Sequence, residues 1–450
     1  DMKLRIYKYV QNIFKAVFTL SESSAEGRAK AYFYPYLYPA GVPMKITEIV
    51  ESYEEEMVDA MKEMLKIEAI SPESGGKGEL KRAEFLQKWI SDFGFDEIER
   101  YDAKDVRAEG GIRPNMVATI HGKNRDQRIW IISHMDTVPV GDISKWKTGP
   151  FEPVVKEGKI YGRGAEDNGQ SLIASMYAAK AIIDSGEAPD YDFSIVFVSD
   201  EETGSKYGIQ HLVNLGLFRK DDIVIVPDHG VPQGNEIEIA EKSIYWVKVT
   251  TYGKQTHSSI PNTGINALRA GAKYLVEVDR ALHERFSEKD KLFTVPVSTF
   301  EPTKKEENQP NINAVPGEDV FYFDMRLIPT HNITDIMVVM NEVAEKVSKE
   351  TGTKISPEVY RGEPAPPATP ADSEVVIRLK NAIEKVRGIE PKLVGIGGGT
   401  CAAYIRYKGI PAAVWSTIDE TMHQANEYCK IENLVSDARV FSMIGFHGHS

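Results

Sequence analysis

Three short apolar runs in this 450-residue chain each end in side chains that can bind a metal or move a proton. Ile129-Trp-Ile-Ile continues into Ser133-His134-Met135-Asp136. Phe193-Ser-Ile-Val-Phe-Val continues into Ser199-Asp200-Glu201-Glu202, and Ile223-Val-Ile-Val into Pro227-Asp228-His229. Imidazole nitrogens together with carboxylate oxygens are the ligand chemistry of zinc and related dications. A fourth piece, Gly162-Arg-Gly-Ala-Glu-Asp167-Asn-Gly, leads into a helical stretch. Its glycines permit a tight backbone approach, and Asp167 falls where a strand-to-helix turn would present it. Residues two apart in an extended chain face the same way. His134 and Asp136 can therefore act together, one on a metal and the other fixing the imidazole tautomer.

Taken singly, each piece has a plainer reading. A His-x-Asp is commonly a turn or a solvated strand end. Two glutamates after a strand are commonly the acidic first turn of a helix. His121, His211, His229, His283 and His331 read as structural or surface residues. The recurrence at three strand ends is what points to one site.

The elements that must hold these residues follow from periodicity. A short continuous apolar run is the pattern of a strand buried on both faces. Helical stretches over Gln170–Ser185 and Gly208–Leu215 separate the runs. Strand, helix, strand, helix, strand predicts an α/β domain with a mostly parallel central sheet. In such sheets ligands bind beyond the carboxyl ends of the strands. Upstream, helices are predicted over Ile46–Ala69 and Glu79–Phe93. From Ile244 the texture changes. A half-exposed strand (Tyr245–Tyr252), a helix (Asn266–Phe286), strands over Leu292–Phe300 and Val320–Leu327, and a helix (Ile333–Glu350) predict a smaller α+β unit. The Pro-rich stretch from Pro364 reads as a linker. A helix (Ser373–Val386), a Gly-rich turn (Gly395–Gly399), a further helix and a strand near Ala412–Trp415 close the chain. Residues 44–242 and 363–450 thus read as one catalytic α/β domain interrupted by an inserted unit at 243–362. Residues 1–43 read as an appendage of unknown role, and His447 and His449 as part of a tail.

Composition narrows the classes. The 54 basic and 67 acidic residues leave a net charge of −13, which argues against nucleic acid or an anionic membrane as the main partner. Two cysteines, Cys401 and Cys429, exclude a disulfide framework and a cysteine-rich zinc module, and read as reduced thiols in a cytoplasmic protein. No apolar run approaches the roughly 18 residues of a membrane span.

With these motifs in hand, the chain resembles the co-catalytic zinc peptidases and deacylases. These include acetylornithine deacetylase, succinyl-diaminopimelate desuccinylase, aminoacylases, carboxypeptidases and carnosinase-type dipeptidases. The resemblance rests on Ser133-His-Met-Asp-Thr-Val-Pro, Gly162-Arg-Gly-Ala-Glu-Asp, Ser199-Asp-Glu-Glu-Thr-Gly, Pro227-Asp-His, Thr256-His-Ser-Ser-Ile-Pro and Met422-His-Gln-Ala-Asn-Glu, in the family's order. It implies a zinc-hydrolase α/β domain with a ferredoxin-like lid and dimerisation domain inserted. It implies two divalent ions, zinc with cobalt or manganese as alternatives. Asp167 would be shared between them, His134 and Asp228 would complete one site, and Glu202 and His423 the other. Asp136 would orient His134, and Glu201 would be the general base. His257 would stabilise the oxyanion, reaching into the partner's site in a homodimer. Asn313, Arg326 and the turn Gly398-Gly399-Thr400 would bind substrate. A cis Asp167–Asn168 peptide is implied as well. The expected substrate is a small amide or peptide, with neither nucleic acid nor membrane as partner.

Two departures bear on specificity. Asp228 stands where desuccinylases usually carry Glu; dipeptidases and aminopeptidases of the family often have Asp there. The desuccinylase-type Gly-Gly-Thr-Ser-Asp is here Gly398-Gly-Thr-Cys-Ala, without its acid. The expected activity is therefore cleavage of an N-acyl amino acid or short peptide, with dipeptidase or carboxypeptidase action as the alternative. A non-catalytic binding descendant would usually lose a ligand or the base, and here every such position is filled.

Overall fold

The computed structural model describes residues 45–446. The appendage at 1–43 and the tail histidines His447 and His449 lie outside the described residues. After Lys45 come two helices, α1 (Ile46–Glu51) and α2 (Glu54–Leu65), in place of the single one expected to reach Ala69. The break falls at Ser52-Tyr53, where the Ser52 hydroxyl donates to the Ile49 carbonyl and competes with the helical ladder. Then follow α3 (Leu80–Ile90), β1 (Glu97–Arg100), β2 (Met116–Ile120), β3 (Asn124–His134), α4 (Gln170–Ser185), β4 (Tyr191–Val198), α5 (Ile209–Asn214), β5 (Ile223–Gly230) and β6 (Glu236–Glu241). The next stretch holds β7 (Ser243–Tyr252), the short β8 (Thr256–His257), α6 (Ala267–Arg285), β9 (Thr299–Lys305), the short β10 (Ala314–Val315), β11 (Glu318–Leu327), α7 (Ile333–Thr351) and β12 (Lys354–Glu363). The chain ends with α8 (Glu374–Arg387), β13 (Lys392–Ile396), α9 (Cys401–Arg406), β14 (Ala412–Ser416) and α10 (Ile431–Ile444).

The larger sheet has eight strands in the order β1-β2-β4-β3-β5-β14-β6-β13. Its four central strands, β4, β3, β5 and β14, run parallel. In β3, Ile131 faces Ile195 on one side and Ile225 on the other, so Ile129–Ile131 are paired along both edges. Helices cover both its faces, which is why the run shows no polar alternation. Val196, Val224 and Val414 pack under Ile405 and Leu212. On the other side α4 is buried nearly all round, the expected state of a helix apolar on every face.

The smaller sheet is fully antiparallel, in the order β9-β11-β7-β12, with the β-α-β-β-α-β succession of a ferredoxin-like fold. Tyr274 and Val278 of α6 and Met340 and Val347 of α7 pack on Val247, Val249, Phe321 and Phe323. The strand expected over Leu292–Phe300 is displaced and runs over Thr299–Lys305. Phe293, Val295 and Val297 alternate like a strand, but Pro296 lacks a ladder donor and Phe293 packs instead against Gly395. Among the described residues no helix is long and apolar enough to cross a membrane.

Candidate metal centre

All four central strands deliver polar side chains at their carboxyl ends, because all four run parallel. β3 ends at His134, β4 leads to Glu201 and Glu202, β5 carries Asp228, and β14 leads into the loop with His423. His423 is far from the others in sequence, yet its strand exits at the same edge of the sheet.

Asp167 sits at the middle of the cluster. Its Oδ1 lies 2.8 Å from His134 Nε2, and its Oδ2 lies 3.0 Å from His423 Nε2. His134 Nε2 is also 3.4 Å from Asp228 Oδ1, and His423 Nε2 is 3.1 Å from Glu202 Oε2. Two sets of ligand atoms each fall within 4.8 Å of one another, His134 with Glu201 and Asp228, and His134 with Asp167 and Glu202. The Asp167–Asn168 peptide is cis. The Asn168 side chain donates to Asp228 Oδ1 (3.0 Å) and to the Pro227 carbonyl (2.8 Å), fixing that carboxylate in place.

Asp136 is fully buried. Its Oδ1 accepts from the Glu201 N–H and its Oδ2 from the Glu202 N–H, each at 3.0 Å. The nearest oxygen to His134 Nδ1 is the Asp136 backbone carbonyl at 3.0 Å, with the carboxylate at 3.5 Å. Asp136 therefore orients His134 mainly through its main chain, and the two glutamates through its side chain. Arg113, also fully buried, backs this turn: it pairs with Glu79 at 2.5 Å and reaches Asp200 at 3.5 Å.

Two buried carboxylates cross-link the loops that carry Asp167 and His423. Glu427 Oε1 accepts from the N–H groups of Glu166 (3.0 Å) and Asp167 (3.1 Å). Its Oε2 accepts from Gly164 N–H (3.0 Å) and Arg163 Nη1 (2.6 Å). In return Glu166 accepts from the N–H groups of Asp419, Thr421 and Met422. Gly164 has φ +80°, and a Cβ there would lie 2.5 Å from Thr137 Cγ2, so the turn needs glycine. His423 itself takes φ +62°, a left-handed value that the clasp from Glu166 holds. Both glutamates lie inside the motifs around Asp167 and His423, where nothing in their residue type marks a clasp. Their one signal was position, next to Asp167 and four residues after His423.

Electrostatics fit a cation-binding role. Burial and the neighbouring Asp228 push the Glu201 carboxyl well above its usual range. Burial and Asp167 push Glu202 up to about 7. Burial also raises Asp167, but contacts with His134 and His423 outweigh it and hold the carboxyl low. Hydrogen bonds to Asp167 and Glu202 push His423 up to about 10. Carboxylates crowded out of water need compensating positive charge, and an N/O donor set of this kind suits divalent ions.

Other expected site residues lie apart. His257 is exposed on β8, its Nδ1 2.7 Å from the Ser259 hydroxyl. Asn313 neighbours it, its carbonyl accepting from Ser258 N–H. Among the described residues no contact joins either to the cluster. Arg326 on β11 pairs with Asp324 and donates to the Gly397 carbonyl at 2.9 Å, bringing the smaller sheet to the Gly-rich turn. In that turn Gly398 and Gly399 are open, whereas Thr400 N–H and Oγ1 both donate to Glu241, at 3.1 and 2.9 Å.

Comparison with known proteins agrees with this geometry. Residues 130–444 match the sequence profile of Peptidase family M20/M25/M40. An uncharacterized metallohydrolase of Methanocaldococcus jannaschii is 40% identical over 403 residues, covering 86% of this chain and 98% of its own. A succinyl-diaminopimelate desuccinylase of a Sulfurovum species is 26% identical over 391 residues, covering 86% of this chain and 97% of its own. The crystal structure of aminopeptidase PepT from Bacillus cereus superposes with a TM-score of 0.69 at 22% identity, covering 87% of this chain and 97% of its own. The chain thus belongs to peptidase family M20/M25/M40 and is a metal-dependent hydrolase.

Proposed function

We propose that this hydrolase cleaves the amide bond of a small N-acyl amino acid or short peptide, using two divalent ions held at the ends of the parallel strands. The observation that carries the reading is Asp167, each of whose oxygens faces a different histidine. His134 and Asp228 would complete one ion's ligands, Glu202 and His423 the other's, with Asp167 shared. Zinc suits this donor set, with cobalt or manganese as alternatives. When bound, such a pair supplies Lewis acidity to the substrate carbonyl and lowers the pKa of water.

Glu201 does the proton work. Its carboxylate takes a proton from the attacking water and hands it to the departing nitrogen. A Glu201 carboxyl oxygen lies within 4.8 Å of ligand atoms of His134 and Asp228. Asp136 holds the Glu201 amide and so sets where that carboxylate sits. His257 would donate to the developing oxyanion from the lid of a second copy, in a homodimer. Asn313 and Arg326, with Gly398, Gly399 and Thr400, would position the substrate.

Dipeptidase or carboxypeptidase action is the second reading, favoured by Asp228 and by the missing acid after Thr400. A panel of N-acyl amino acids and dipeptides, offered to protein loaded with zinc, cobalt or manganese, tests both. Turnover of at least one class, abolished by chelation, is expected. Equal inactivity on every amide with full metal loading would overturn the reading.

A further inference from the structure

A cavity of about 430 Å³ opens beside Glu201. Its walls include Glu241, Glu363, Gly399, Tyr404 and Tyr407. Glu241 is only 3% exposed. Its Oε1 accepts from Thr400 N–H and Oγ1 and lies 3.7 Å from Arg406 Nη1. Its Oε2 takes no hydrogen bond among the described residues and lies 3.8 Å from where a Gly399 Cβ would stand.

The local charge does not balance. Arg406 is buried and already bonded at 2.7 Å to Glu238, which is fully buried. One guanidinium therefore faces two carboxylates, and the excess acid is the one at the cavity wall. Burial, with Glu238 adding to it, pushes Glu241 up to about 8. A buried carboxylate in this position is stabilised by a proton or by a cation from outside.

The rest of the lining suits a cation. Tyr404 and Tyr407 donate their hydroxyls to the Gly204 and Pro364 carbonyls, and their rings, 6.3 Å apart, form part of the cavity wall. An aromatic pair beside a carboxylate favours an organic ammonium. Glu363 also lines the cavity, but its carboxylate is paired with Arg361, which leaves Glu241 as the acid without a full partner. Lys242, the one basic residue of the lining, has its ammonium bonded to the Val297 carbonyl at 2.6 Å.

We propose that this cavity is a recognition site for a primary ammonium group of the substrate, with Glu241 as the residue that selects it. The proposal rests on the hydrolase reading of the Glu201 site and names the substrate class within it. Two parts of a substrate could bring that ammonium: the free α-amine of a peptide, or the side-chain amine of a released amino acid.

The experiment pairs each ammonium with its hydroxyl isostere. Glycyl-leucine is compared with N-glycolyl-leucine, and Nα-acetyl-lysine with Nα-acetyl-6-hydroxynorleucine, on zinc-loaded protein. In at least one pair kcat/KM is expected to favour the ammonium by tenfold or more, and the responding pair identifies the source. Glu241→Gln is expected to lower that ratio at least tenfold. The ratio is internal to each protein, so a general loss of activity does not move it. Calorimetric binding of the same pairs to zinc-loaded Glu201→Gln protein, with and without Glu241→Gln, reads the preference without turnover. A binding preference with no hydrolysis would sink the hydrolase reading and leave this one standing. Equal binding within both pairs, or a preference that survives Glu241→Gln, overturns this one.

Discussion

Asp136 gives one oxygen to the amide of Glu201 and the other to the amide of Glu202. Asparagine has the same shape but turns one of those acceptors into a donor facing a donor. We expect Asp136→Asn to weaken zinc binding by roughly 10–100-fold, as loss of such supporting contacts typically does, measured by competition with a chelating dye. Asp437, on α10, shows the opposite electrostatics. It is fully buried, and burial pushes its carboxyl from 3.8 up to about 6 against the hydrogen bonds from Thr417 N–H and Gln170. The folded state therefore binds the proton more tightly than the unfolded chain. The stability this contributes is complete below about pH 4 and is lost as pH rises through 6. Two units correspond to about 3 kcal/mol. Asp437→Asn should gain up to that amount relative to wild type between pH 4 and 6.5, read from paired urea titrations. A constant difference across that range would contradict it. At this scale the sequence was legible where chemistry is local. His134, Asp136, Glu201, Glu202 and Asp228 follow apolar runs that announce strands. Glu166, Glu427 and Arg113 were not legible, because a carboxylate that clasps backbone amides looks like any other acidic residue until the loops are placed.

Among the elements, the two loops that carry Asp167 and His423 hold each other through Glu166 and Glu427. Removing Glu427 would leave Arg163 buried without its carboxylate, a change that typically costs about 3–5 kcal/mol. We expect Glu427→Ala to lower the melting temperature and, at temperatures where the protein remains folded, to release zinc more readily than wild type. Unchanged metal retention in the folded variant would show that the clasp serves stability alone. The central strands and α4 were readable from their apolar runs. The expected strands left out β2, β6 and β13 as well as the edge strands β1 and β12, and these last two share a cause. β1 is Glu97-Ile-Glu-Arg, a charged edge strand, and β12 carries Pro357 and Gly362 on another edge, with alternate burial confined to Ile355 and Pro357. His423 was placed only by resemblance. The physical reason it reaches the site is that β14 pairs parallel to β5, which no local pattern shows.

At the scale of the whole molecule, the proposed ions would couple folding to metal. Asp167, Glu201, Glu202 and Asp228 lie together, each half-buried, in a chain already carrying −13. Chelation should therefore lower the melting temperature, and added zinc should restore it. At a thousandfold excess over its dissociation constant a single bound ion contributes about 4 kcal/mol. A melting curve indifferent to chelator would mean that the cluster stands without ions. The central claim is that Glu201 moves the proton at a centre holding two ions. The most direct measurement counts metal per chain and the rate of amide hydrolysis in wild type and Glu201→Gln side by side. Two ions per chain in both proteins are expected, with turnover in the variant lower by about 10²–10⁴-fold. Full turnover by Glu201→Gln with its metal in place would contradict the claim.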